Sequence, residues 1–287
     1  MFSGYSSRRW LGGLALSGLL VAASLAFAAT EERPLPDVPA LLARVRDHQD
    51  GLEKIRENYT FTASVTDHEL DKRGVQKKQE SKTYDVTFVG HRTILRQTAL
   101  NGKPLSAADQ AKEDARIEKL IKDLTEGRNP HDPDAEHQMK IGVLLRAEHF
   151  KNGRREKFRN RDVIVFDFEP DSAFKPSSDY EKFYTKMAGT MWVDEADLQV
   201  ARVDFTLIDD FKIGGGMFFD MKEGARFAVE QDRFFNEIWL PTSSSARFGA
   251  RAVLFYNFGI EETATFSGYH QFRVSTEEKI STPTPSN

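Results

Sequence analysis

The feature that most constrains this chain is a strict alternation of residue types between positions 188 and 211. In the segment LQVARVDFTL, three apolar side chains alternate with three polar ones: Val203, Phe205 and Leu207 with Arg202, Asp204 and Thr206. A period of two residues is typical of a β-strand that has one packed face and one wet face. The segment GTMWV before it is a short apolar strand, and residues 194–197 form a polar turn. The sequence therefore predicts an antiparallel hairpin here.

Similar strand patterns occur along most of the chain. The clearest is a stripe of apolar residues alternating with threonine and serine: Tyr59, Phe61, Ala63 and Val65. Further strands are predicted near residues 82–89, 92–100, 163–168, 217–221, 226–235, 244–258 and 262–274, and residues 148–158 are predicted to fold back through a turn at Asn152-Gly153. The fold class predicted is mainly β (α+β), with about ten antiparallel strands. Such a sheet is expected to be strongly curved and half-open.

Helices are predicted in two places, and both are expected to close the sheet. Asp37 precedes an apolar stripe at helical spacing that consists of Val38, Leu41, Leu42, Val45, Leu52 and Ile55. In the middle of the chain, Ser106 and Asp109 resemble a capping box. The helix that they start carries Ile117, Leu120, Ile121 and Leu124, and a shorter helix is predicted over residues 135–145. The segment 171–186 is polar and is predicted to be a loop.

The two ends of the chain are expected to lie outside the folded domain. Arg8 and Arg9 precede an apolar run over residues 11–27, and Ala26-Phe27-Ala28 matches a cleavage site. Residues 1–28 are therefore predicted to be a cleavable signal peptide, which places the mature protein in the periplasm. A single membrane span is the alternative. The run Ser7-Arg8-Arg9-Trp10-Leu11 also resembles a twin-arginine export signal, and the export route stays open. The predicted domain covers residues 37–274, and a disordered tail covers residues 275–287.

Composition and motifs argue against several classes of function. The chain contains no cysteine, which excludes disulfides, thiol nucleophiles and zinc–thiolate sites. A net charge of -4 with interspersed signs does not favour nucleic acid as a partner. The spacing of His131 and His137 fits no known metal-ligand motif, and no serine-hydrolase or phosphate-loop motif is present. The sequence thus predicts no enzyme, no cofactor and no metal.

The run NGRREKFRNR at residues 152–161 is a local concentration of positive charge. Two interpretations of it remain open. It is either a solvated turn or a contact for an anionic headgroup or a partner protein.

The arrangement of these elements resembles the periplasmic lipoprotein-carrier superfamily, which includes LolA, LolB and RseB. An export signal is followed by a helix and strand (ALLARVRDHQDGLEKIRENYTFTASV), a mid-chain helical insertion, and the hairpin GTMWVDEADLQVARVDF. The resemblance implies a half-open barrel whose apolar concave face holds acyl chains. Its implied partners are a lipid or lipoprotein acyl chain and membrane proteins of the cell envelope. The chain departs from the family in its longer insertion and in lacking a lipid-attachment cysteine.

A cavity of this kind predicts a set of apolar ligand-binding residues on the strands. The candidates are Phe61, Phe166, Phe168, Val203, Phe205, Leu207, Leu254, Tyr256 and Phe258. The same stripes also fit a packed core, because any sheet covered by a helix shows them. The function predicted is non-enzymatic transport of lipid or lipoprotein in outer-membrane biogenesis. A lipid-sensing or protein-interaction module and a purely structural envelope protein are the alternatives.

Overall fold

A computed structural model describes residues 33–71, 73–89, 92–128, 139–213, 219–235, 237–252 and 256–271. The predicted signal peptide, the C-terminal tail and the triple glycine at 214–216 lie outside these residues. All elements below belong to the unit Leu35–Asn287. The domain limits derived from the sequence stay predictions.

The described chain contains four helices and thirteen strands. The helices are α1 (Val38–Arg56), α2 (Ala107–Thr125), α3 (Ile141–Ala147) and α4 (Asp179–Tyr184). The first seven strands are β1 (Tyr59–Leu70), β2 (Gln76–Val89), β3 (Arg92–Leu100), β4 (Lys103–Pro104), β5 (Glu148–Phe158), β6 (Arg161–Pro170) and β7 (Met187–Asp194). The remaining six are β8 (Gln199–Leu207), β9 (Phe211–Ile213), β10 (Phe219–Met221), β11 (Arg226–Phe234), β12 (Ile238–Ala252) and β13 (Tyr256–Gln271).

The strands form one antiparallel sheet in the order β4-β3-β2-β1-β13-β12-β11-β8-β7-β6-β5, and β10 joins β9 to β12. Strands adjacent in sequence are mostly adjacent in the sheet, except that β1 pairs with β13, β8 with β11 and β10 with β12. Within the described residues, β4 and β5 end the order and do not pair with each other. The structure confirms the predicted mainly β fold with an open antiparallel sheet.

The hairpin that dominates the sequence is formed by β7 and β8, with its turn at residues 195–198. Gly189 pairs with Phe205, and a Cβ atom added at Gly189 would lie 2.0 Å from the Asp204 carbonyl oxygen. No side chain fits that distance, so glycine is required where the two strands approach most closely.

The main core lies where helices cover the β6–β8 part of the sheet. Helix α1 begins at Asp37, whose Oδ1 accepts a 2.9 Å hydrogen bond from the Ala40 N–H group. The predicted stripe then buries Leu41 and Val45. Helix α3 is buried over six of its seven residues, and α4 contributes Tyr184. The strand β6 is buried on both faces, as its apolar sequence predicts.

Helix α2 packs separately against the edge of the sheet. Ile117 and Leu120 contact Ile94 of β3. The Glu113 side chain accepts a hydrogen bond from the Gln97 N–H group, and Arg116 donates one to the Leu95 carbonyl. These contacts satisfy backbone groups that an edge strand otherwise presents to other chains.

The predicted start of α2 is confirmed. The Ser106 hydroxyl caps the helix by accepting from the Asp109 N–H group at 3.2 Å, and it donates to the Asp109 carboxylate at 2.7 Å.

Four boundary predictions are wrong. Residues 179–184, predicted as loop, form α4, because Ser178 caps the helix and Phe183 and Tyr184 reach the core. The predicted strand 244–258 is two strands, since β12 ends at Ala252 and pairs with β13 from Tyr256. The turn predicted at Asn152-Gly153 is instead an irregularity within one continuous strand, β5, whose pairing with β6 shifts register between Lys151 and Arg154. The helix predicted over residues 135–145 is observed as α3 from Ile141 to Ala147, and residues 135–138 lie outside the described part.

Candidate functional site

A pocket of about 430 Å³ lies on β1, β2 and β13, away from the main core. Its lining residues are Asp67, His68, Glu69, Lys78, Glu80, Phe258, Ile260 and Glu262. Each of them is partly or fully exposed. The volume falls in the range of about 300–1,000 Å³ found for small-molecule sites.

The sheet register brings the charged residues together. Asp67 lies directly between Glu80 of β2 and Glu262 of β13. Two residues further along, Glu69 lies between Lys78 and Ile260. Because side chains two apart point to the same face, these two rows share one face of the sheet. Three neighbouring strands thus direct four carboxylates and the ammonium groups of Lys78 and Lys82 to one side.

The apolar wall of the pocket continues toward the core. Ile260 pairs with Phe248 of β12, and the Phe248 ring stacks on Phe227 with centroids 6.2 Å apart. Phe227 in turn stacks on Phe205 at 4.8 Å, with the rings only 13° from parallel. A row of apolar side chains therefore runs from the pocket, across β12 and β11, to the buried face of β8. We call Ile260, Phe248, Phe227 and Phe205 the phenyl row.

The polar wall holds a carboxyl group that is perturbed in the neutral pH range. Burial raises the pKa of Glu262 to about 7, and repulsion from Asp67 and a hydrogen bond with its side chain act in the same direction. Lys82 opposes this shift. In contrast, Glu80 has a lowered pKa, because Lys78 and Lys82 donate to it. Near neutral pH the pocket thus contains a carboxyl group that readily gains or loses a proton.

Five of the nine predicted ligand-binding residues lie in the main core, at 0–5% exposure: Phe166, Phe168, Val203, Phe205 and Leu207. Side chains from α1, α3 and α4 belong to the same cluster. These five residues can contact a ligand only if one of the helices moves, and their role as a cavity lining stays a prediction.

Of the other four candidates, two have described side chains, Phe61 and Phe258. Phe61 is half-buried among aromatic rings, the nearest being Tyr269 at 4.9 Å. Phe258 lines the pocket. Leu254 lies outside the described residues, and for Tyr256 only the backbone is described.

Sequence reasoning missed Asp67, Ile260 and Glu262. A signal for the first was present, because the apolar stripe of β1 continues in the same period into Asp67 and Glu69. A strand face that changes from apolar to acidic residues halfway along indicates that this face passes from a packed to a more solvent-exposed environment. The cross-strand partner of Asp67 could not be predicted, because β13 is the strand farthest from β1 in sequence.

The cationic run 152–161 does not form a free basic patch. Its cations pair with carboxylates distant in sequence: Arg154 with Asp167, Arg155 with Glu195, Arg159 with Glu230 and Asp232, and Arg161 with Asp194 and Asp197. Lys157 likewise pairs with Asp162. These ion pairs favour a structural role over headgroup binding.

A second cavity, beside Arg161, Asp194 and Trp239, has a volume of about 10 Å³. That is enough for about one water molecule.

In the part of the chain that the structure covers, no three His, Asp or Glu side chains are grouped to hold a metal ion. None of the helices described here is long and apolar enough to span a membrane.

No family model and no curated protein matches this chain. Among solved structures, it is similar to an outer membrane lipoprotein-sorting protein domain from Vibrio parahaemolyticus, at 13% identity and a TM-score of 0.35, over 83% of this chain and 93% of the other. It is also similar to a DUF1329 family protein from Desulfovibrio piger, at 10% identity and a TM-score of 0.37, over 84% and 95% of the two chains. We therefore infer the function from the pocket itself.

Proposed function

We propose that this protein is a non-enzymatic carrier of the cell envelope that binds the acyl chain of a lipid or lipoprotein. The observation that carries the proposal is the 430 Å³ pocket and its connection to the phenyl row. The acyl chain lies against Phe258 and Ile260 and extends along Phe248 and Phe227. These side chains are only half-buried, so they gain contacts when an apolar chain covers them.

The energetics of such a site suit reversible transport. Burying a chain of about 14 methylene groups contributes roughly 11 kcal/mol at ~0.8 kcal/mol each. Association costs on the order of 4–15 kcal/mol in lost freedom and ordering. Because the two terms nearly cancel, the complex forms and also dissociates, as a carrier requires.

The composition of the pocket favours binding over catalysis. Its carboxylates face an apolar wall, and the described lining residues include no serine, threonine or cysteine nucleophile. Asp67 and Glu262 are hydrogen-bonded to each other. The separation of about 5 Å or more that glycoside hydrolysis requires between two carboxyl groups is therefore absent at this pair.

A vesicle-transfer assay tests the carrier function. The protein is incubated with donor vesicles that contain a fluorescent phospholipid with an amine head group, and transfer to acceptor vesicles is followed over time. We expect transfer by the wild type and a loss of about tenfold or more in Ile260→Asp, because a carboxylate in the apolar wall is costly to bury. Ile208→Asp is the matched control, since Ile208 is 49% exposed and is not a pocket residue.

Three results are informative. If the Ile260→Asp variant transfers lipid as fast as the wild type, the pocket is not the site that carries the lipid. Binding of the lipid without transfer would favour the sensing module over the carrier. Absence of both binding and transfer would contradict the proposal.

The proposal places the mature protein in the periplasm, after cleavage behind Ala28. Expression in a Gram-negative host followed by cell fractionation and N-terminal sequencing tests this point. We expect the periplasmic fraction to contain a chain that begins at Ala29. An uncleaved chain in the membrane fraction would instead support the single-span alternative.

A further inference from the structure

We propose that the ligand of this pocket carries a protonated amine at its polar end, held by the carboxylates of Asp67 and Glu262. This inference rests on the proposed function, because it names the chemical class of the amphiphile that the carrier binds. It is carried by the charge distribution around the pocket and by the position of the apolar wall.

The charges of the pocket are unbalanced. Asp67, Glu69, Glu80 and Glu262 face one lining cation, Lys78. In the described part of the chain, the ion pairs recorded at this pocket join Glu80 to Lys78 at 3.1 Å and to Lys82 at 3.3 Å. Glu80 is thereby neutralised. The excess negative charge lies on β1 and β13, beside the apolar wall.

The carboxylates lie beside the apolar wall of an open pocket. Glu262 follows the wall residue Ile260 by one repeat of β13, so their side chains point to the same face and lie about 7 Å apart along the strand. A molecule that lies on Ile260 and Phe258 therefore places its polar end at Glu262 and Asp67. The site has the form expected for an amphiphile, with an apolar wall and a polar terminus.

The sign of the charge selects the head group. An anionic phosphate or carboxylate would meet Asp67, Glu69 and Glu262 at short range and be repelled. An ammonium group offers three N–H donors, and charge-assisted hydrogen bonds to carboxylates are stronger than neutral ones. A long-chain amine or an aminolipid thus fits the pocket, and an ordinary anionic phospholipid does not.

The geometry also makes binding depend on pH. The charged groups that face Glu262 are Asp67 and Glu69 from β1 and Lys78, Glu80 and Lys82 from β2, whereas its partner on β12, Ala246, is uncharged. His68 of β1 is the remaining titratable residue of the pocket lining, and it pairs with Glu261. The pKa of Glu262 is about 7 in the empty pocket. A bound ammonium group favours the ionised carboxylate, so binding releases a proton and strengthens as the pH rises through neutrality.

Three probes with the same twelve-carbon chain test the inference: dodecylamine, dodecanol and dodecanoate. Their dissociation constants are measured by titration calorimetry below the micelle concentration, at about pH 5.5 and about pH 8.5. At the higher pH we expect dodecylamine to bind about tenfold more tightly than dodecanol, and dodecanoate to bind most weakly. At the lower pH the advantage of the amine over the alcohol should largely disappear.

The matched variants are Glu262→Gln and Glu261→Gln. Glu261 is the next residue of the same strand, faces the other side of the sheet, and forms an ion pair with Arg247. Glu262→Gln should remove the pH dependence and the amine preference while leaving dodecanol binding unchanged. Glu261→Gln should behave as the wild type.

The outcomes separate this inference from the proposed function. Equal binding of all three probes, or an amine preference that persists in Glu262→Gln, would overturn the head-group assignment and leave the apolar site intact. Failure of all three probes to bind would contradict the proposed function itself.

Discussion

The two halves of this sheet use the same sequence pattern for different purposes. In the half formed by β5–β8, the alternating apolar residues are covered by α1, α3 and α4 and are almost fully buried. In the half formed by β1, β2, β12 and β13, small clusters around Tyr59 and Ala63 are buried, whereas Phe258 and Ile260 of β13 line a pocket and remain partly exposed. We call these the closed half and the open half. The period of a strand thus determines which residues share a face, and packing determines whether that face becomes core or surface.

The phenyl row shows where one half becomes the other. Phe205 is 5% exposed, whereas Phe227 and Phe248 on the next two strands are half-buried. The rings are stacked on one another, and those on β11 and β12 are less buried than the one on β8. An apolar ligand on the open half would extend the core by covering the exposed part of this row.

The largest effect is expected from a methyl group at the closest strand contact of the closed half. Gly189→Ala places a Cβ atom 2.0 Å from the Asp204 carbonyl oxygen and 2.7 Å from the Phe205 Cα atom, and both are backbone atoms. We expect a destabilisation of about 4 kcal/mol or more, measured by urea denaturation. Gly249→Ala in the open half is the control, because its Cβ would meet no atom within 4 Å. Similar losses in both variants would contradict the difference between the halves.

Removing one phenyl ring from each half tests the contrast in packing. Phe166 is 0% exposed, so Phe166→Ala should cost about 3–5 kcal/mol through lost burial and a new cavity. Phe258→Ala should cost roughly 1 kcal/mol, since the side chain is only half-buried in the pocket wall. The same denaturation experiment measures both values. A Phe258→Ala loss as large as that of Phe166→Ala would show that the open half is packed as a core.

The closed half also contains a carboxyl group that opposes folding. Glu148 is 6% exposed, and neither of its oxygens has a hydrogen-bond partner in the described structure. Burial, followed by repulsion from Asp171, raises its pKa from 4.5 to about 9. Because the unfolded chain ionises this group first, its contribution to stability is lost as the pH rises from about 4.5 to about 9.

Glu148→Gln should therefore stabilise the protein by about 2–4 kcal/mol at neutral pH and flatten this part of the stability profile. Thermal unfolding across that pH range measures the effect. Glu156→Gln, at an exposed position of the same strand, is the control. A neutral or destabilising result for Glu148→Gln would show that the carboxyl group has a partner in solution.

The smallest effect is expected on the outer face of the closed half. Arg159 is exposed and pairs with Glu230 and Asp232. Exposed ion pairs contribute little, so Arg159→Gln should change the unfolding free energy by less than about 1 kcal/mol. A larger loss would mean that the ion pairs of this face stabilise the sheet as a network.

The sequence predicted the elements of this fold better than their environments. The β7–β8 hairpin, the cap at Asp37 and the cap at Ser106 depend on local chemistry, and all three are confirmed. The pocket depends on pairing between β1 and β13, the first and last strands, and local patterns carry no information on that pairing. The predicted ligand residues therefore lie mostly in the closed half, because the strongest apolar stripes belong to the core.

The central claim is that an apolar chain binds to the open half and leaves the closed half unchanged. Methyl NMR with labelled isoleucine tests it directly, since Ile260 lines the pocket and Ile164 is 0% exposed in the closed half. On titration with dodecylamine we predict a chemical-shift change at the Ile260 δ1 methyl group and none at Ile164. A change at Ile164 with Ile260 unaffected would contradict the claim and locate the ligand beneath α1, α3 and α4.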